Sequence, residues 1–87
     1  MKNEITIKDV REAIAYGHDC GVENMSDEQL RKADFLKDLG MGNIRLANVG
    51  IELQRRHGFD LPLEVFRAMK DNTVGAFIEA ANAYLKG

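Results

Sequence analysis

The tightest limit on the fold comes from the spacing of apolar residues near the C-terminus. Val74, Phe77, Ile78, Ala81 and Leu85 stand at offsets of 0, 3, 4, 7 and 11, the pattern of a helix laid along an apolar core. The same period occurs in two earlier stretches. Ile7, Val10, Ala13 and Ile14 form one stripe, and Leu46, Val49, Gly50 and Leu53 form another, flanked by Ile44 and Ile51. No segment alternates apolar and polar residues between hairpin turns, so the expected class is all-α.

Local signals set the expected boundaries. Thr6 and Asp9 have the spacing of an N-terminal cap, which starts the first helix. That helix is predicted to run to about Asp19, with Gly21 as a left-handed stop. Ser26 and Gln29 form a second capping pattern, which predicts a short helix carrying Leu30, Ala33 and Phe35 inside a long connection. Leu39-Gly40-Met41-Gly42 breaks regular structure and predicts a tight loop. A second long helix is expected from Asn43 to Gly58. Pro62 can open a short third helix that contributes Leu63, Val65, Phe66 and Met69, and the last helix follows Asn72-Thr73.

A chain of 87 residues has room for one domain, expected over 1–87. A domain of this size buries only roughly 60–65% of the surface its unfolded chain exposes, so partners are expected to meet it at its surface. The lone Cys20 has no partner for an internal disulfide, and no export signal or membrane-length apolar run is recognisable. A cytoplasmic monomer without a membrane span is expected. The net charge of −2 gives no support to a nucleic-acid partner. Its distribution is nevertheless uneven: residues 1–30 carry three basic and seven acidic groups, whereas residues 31–57 carry six basic and three acidic ones.

The stretch from Ala33 to Ile44, with Phe35, Asp38-Leu39-Gly40 and Gly42-Asn43-Ile44, resembles the approach to the attachment site of acyl and peptidyl carrier proteins. Leu61-Pro62 and Thr73-Val74 continue the resemblance at the family's spacing, so that it covers roughly residues 33–78. It implies a four-helix bundle with a long loop between helices one and two and a short third helix. In that family a serine at the head of the second long helix carries 4′-phosphopantetheine. Here the position is Asn43, whose amide has no hydroxyl to form the phosphodiester, so no covalent cofactor is expected. Ser26, the only serine, lies in a capping position. Asparagine caps helices about as well as serine, which accounts for Asn43 structurally.

Two further departures concern partners. Gly42 replaces the family's aspartate, and the helix face that is usually acidic carries Arg45, Arg55 and Arg56. A solvated helix face is the plain reading of these arginines. The functional reading makes them a contact surface for a protein partner. Gly40, Met41, Gly42 and Asn43 mark the former attachment site, and a helix start here with Arg45 one turn on could receive a phosphate noncovalently.

His18 and Cys20 lack companions for a metal site, so no metal is expected. His57 reads as a partner of the last carbonyls of its helix. Met25, Met41 and Met69 read as core or loop packing, with Met41 also placed where it could be exposed beside Asn43. No nucleophile, base and oxyanion donor are recognisable together, so the chain is not expected to be an enzyme. The function expected from the resemblance is docking or regulation of an enzyme of acyl metabolism, such as fatty acid or polyketide synthesis. The alternatives are noncovalent or unusual carriage of acyl groups, for instance at Cys20, and a nucleic-acid or membrane-surface module acting through the basic segment.

Overall fold

Thr6 and Asp9 cap the first helix reciprocally: the Asp9 amide donates to Thr6 Oγ1 (3.2 Å), and the Thr6 amide donates to Asp9 Oδ2 (3.0 Å). The computed structural model describes residues 4–17, 21–62, 64–67 and 72–86, with Asn43 described by its backbone alone. Helix α1 spans Ile7–Gly17 and buries Ile7, Val10, Ala13 and Ile14, the predicted stripe. The end predicted near Asp19 falls outside the described residues. Gly21 is left-handed (φ 79°), and it introduces a 3-10 turn, Val22–Asn24, that buries Val22.

Helix α2 spans Asp27–Lys32 and opens on the Ser26–Gln29 capping box. It ends one residue before Ala33, so Ala33 and Phe35 reach the core from the following turn rather than from the helix. Phe35 packs edge-on against Phe77, with centroids 6.0 Å apart. Two carboxylates shape this turn. Asp34 Oδ1 accepts from the amides of Leu36 and Lys37, and Asp38 Oδ2 accepts from the Asp34 amide at 2.7 Å. An isolated bridge between Asp34 and Thr73 then ties the connection to the start of the last helix.

Helix α3 spans Asn43–His57 and ends at left-handed Gly58 (φ 76°). Its N-cap is Gly42, and Asn43 is the first helical residue, so the capping role expected of Asn43 is corrected. Leu46, Val49 and Leu53 form its buried row, whereas Ile44 and Ile51 are 81% and 62% exposed. Met41 is 1% exposed, a core residue rather than one open beside Asn43.

Residues 64–67 are helical, with the Val65 amide donating to the Pro62 carbonyl at 3.1 Å, while Leu63 and Met69 lie outside the described residues. Helix α4 spans Val74–Leu85, capped by Thr73, and buries Val74, Phe77, Ile78 and Ala81. α1 packs most extensively on α3, and α2 packs on α4. A Cβ on Gly75 would lie 3.0 Å from the Arg31 carbonyl oxygen, so the absence of a side chain permits the close approach of α2 and α4. Asn82 accepts from the Ile5 amide (2.7 Å) and donates to the Ile5 carbonyl (2.9 Å), fastening the segment before α1 onto α4.

The protein is thus mostly helical, with no strand among the described residues. Among them, no helix is long and apolar enough to cross a membrane.

Candidate functional site

The loop before α3 leads to Asn43, the residue at which the sequence resembles the attachment position of carrier proteins. Gly40 is left-handed (φ 64°), a conformation that favours glycine, while Gly42 has φ −80° and does not need it. The Gly40 amide donates to the Leu36 carbonyl, and the Met41 amide donates to the Phe35 carbonyl at 2.9 Å. Met41 is drawn inward by this path, leaving the backbone of Gly40 and Gly42 exposed at the head of α3.

From α3, Arg45, Glu52, Arg55, Arg56 and His57 reach towards α1 or brace those that do. Arg45 Nη1 donates to the Gly17 carbonyl at 3.4 Å. Glu52 is only 4% exposed, yet it is charged. Both Arg55 and Arg56 donate to its carboxylate, Arg56 through Nε at 2.9 Å and Arg55 through a closer Nη2 contact. Arg56 also reaches Glu12 of α1 (3.3 Å), and both guanidinium groups lie over the Tyr16 ring, at 5.4 and 5.6 Å from its centroid. The hydrogen bond from Arg55 holds the Glu52 carboxyl below its ordinary range despite burial, which opposes the charge, with Arg56 assisting. The same bond raises the affinity of Arg55 for its proton.

His57 differs from expectation. Its Nε2 is buried and without a hydrogen-bond partner among the described residues, and it lies 3.4 Å from Asp9 Oδ1 across the α1–α3 seam. The ring also leans on Phe59, with centroids 5.5 Å apart. This side chain therefore faces α1 as well as the end of its own helix.

The other side of α3 opens into a groove of about 500 Å³. Leu46, Ala47, Gly50 and Ile51 supply one wall, Phe59 and Leu61 part of the opposite side, and Gln54, Asp60 and Arg67 polar groups. Phe66 lies directly on Gly50: a Cβ there would sit 2.1 Å from a ring carbon.

The geometry brings Arg45, Arg55 and Arg56 to the α1 side, and keeps Gly40, Gly42 and Asn43 together at the head of the same helix. Sequence reasoning missed Glu52, Tyr16 and the groove. Only Glu52 had a local signal, since Arg55 and Arg56 follow it at three and four residues. Tyr16 and Arg67 are joined to their sites only by tertiary packing. Among the described residues no three His, Cys, Asp or Glu side chains converge in a way that could hold a metal ion; His18 and Cys20 lie outside them.

Comparison with protein-family models, curated proteins and solved structures finds no match. The resemblance to carrier proteins therefore rests on the landmarks between residues 33 and 78 themselves.

Proposed function

We propose that this protein is a non-enzymatic docking module with a carrier-protein type of four-helix bundle, working without a phosphopantetheine arm beside an enzyme of acyl metabolism. The order of α1, a long connection, α3, a short helical turn and α4 supports the bundle reading. The chemistry at residue 43 supports the missing arm, because an amide offers no hydroxyl for a phosphodiester.

The observation that carries the docking role is the bracing of the arginines. Glu52, Glu12, Tyr16 and the Gly17 carbonyl hold Arg45, Arg55 and Arg56 in place, so they lose less side-chain freedom when a partner binds. Arg55 is still 58% exposed, so it is braced and reachable at once. Such a surface steers an acidic partner and repels the basic one that an ordinary carrier meets.

Intact mass after incubation with coenzyme A and a promiscuous phosphopantetheinyl transferase, beside an Asn43→Ser variant, tests the first half. An unmodified parent is expected, and a parent that gains the arm overturns the reading. Charge reversal of Arg45, Arg55 and Arg56 tests the second: unchanged binding of an identified partner removes the surface assignment.

A further inference from the structure

Asp60 and Arg67 are both exposed at the groove, and among the described residues neither belongs to an ion pair. One acid and one base favour neither a strongly acidic nor a strongly basic partner. They do match a copy of themselves, because a twofold rotation can set each acid against the other copy's base. The apolar part of the surface has the same self-matching character. Ile51 belongs to the groove wall and is also 62% exposed, and the neighbouring Ala47, exposed as well, carries little side chain, while Gly50 lies covered by the Phe66 ring.

We propose that a second copy of this chain closes the groove in an isologous contact: Ile51 of each copy enters the other's groove, and Asp60 of each lies beside the other copy's Arg67. Arg45, Arg55 and Arg56 reach the α1 side of α3, so pairing leaves them open. The inference stands apart from the docking reading, and it departs from the monomer expected from sequence.

Sedimentation velocity across roughly 1–500 μM protein tests it, a range in which small interfaces assemble. A dimer that accumulates with concentration is expected. Ile51→Asp should raise its dissociation constant by about tenfold or more, as loss of a central apolar anchor does. Asp60→Arg and Arg67→Asp should each weaken self-association, because one presents two cations at the groove and the other two anions. An equimolar mixture of these two variants should then form a heterodimer tighter than either homodimer. Circular dichroism melts of the three variants, all at exposed positions, verify that each is folded. A chain monomeric over the whole range, a dimer indifferent to Ile51→Asp, or a mixture no tighter than its components would each overturn the proposal.

Discussion

The two sides of α3 solve different problems with one helix. Towards α1 the helix is finished internally: a buried carboxylate is satisfied by two guanidinium groups, and these rest on Tyr16. Towards the groove the helix is unfinished, with Ile44 and Ile51 in water and an apolar hollow beside Gly50. A charge removed from water must be paired, so the first side is expensive to disturb. An exposed isoleucine contributes little to a monomer and becomes useful only when something covers it. The buried charge pairing and the exposed apolar surface are therefore carried by different residues of the same element.

Four substitutions sharpen or break that contrast. Leu53→Ala, at a fully buried position between the two sides, is expected to cost about 2–5 kcal/mol in urea unfolding, through lost transfer energy and a cavity. A smaller loss would mean that the core of α3 collapses around the gap. Gly50→Ala adds a methyl that must displace the Phe66 ring. Overpacking of about 1–3 kcal/mol, less about 1 kcal/mol of gained helix propensity, leaves a modest net destabilisation. A stabilised variant would show that the half-buried ring swings aside freely and that the groove is plastic.

Glu52→Gln tests the finished side through pH. The folded carboxyl is held below its ordinary value of 4.5, so its contribution is present above that value and lost as pH falls through the folded one. The parent should lose thermal stability on acidification below about pH 4.5, and the variant should lose less over the same interval. Equal slopes would show that Glu52 contributes nothing to the acid limb. Ile51→Ser should change stability least, by within about 0.5 kcal/mol, since the side chain is mostly in water already. A loss comparable to that of Leu53→Ala at low protein concentration would erase the distinction between the two sides.

Much of the fold was legible locally because caps and stripes join residues three or four apart. Thr6 with Asp9, Ser26 with Gln29, and Gly58 all perform the predicted tasks. Local reasoning failed where a local choice was open. Asn43 was expected to cap its helix, but α3 begins on Asn43 itself with Gly42 as the N-cap. The site was less legible than the fold. The three arginines were visible as an anomaly on a helix, but their bracing depends on α1 residues 28 to 44 positions away. The pairing of Ile5 with Asn82, 77 positions apart, left no pattern to read.

By itself, the sequence determined the helical class, the buried stripes, most of the capping and the absence of a hydroxyl at residue 43. These follow from side-chain chemistry and from periodicities shorter than two helical turns. Tertiary structure alone decided that Glu52 is a buried charge rather than a surface one, that Met41 turns inward, that His57 faces Asp9, and that one side of α3 is left open. Each of these depends on which helix lies opposite, and burial and charge pairing are properties of that meeting.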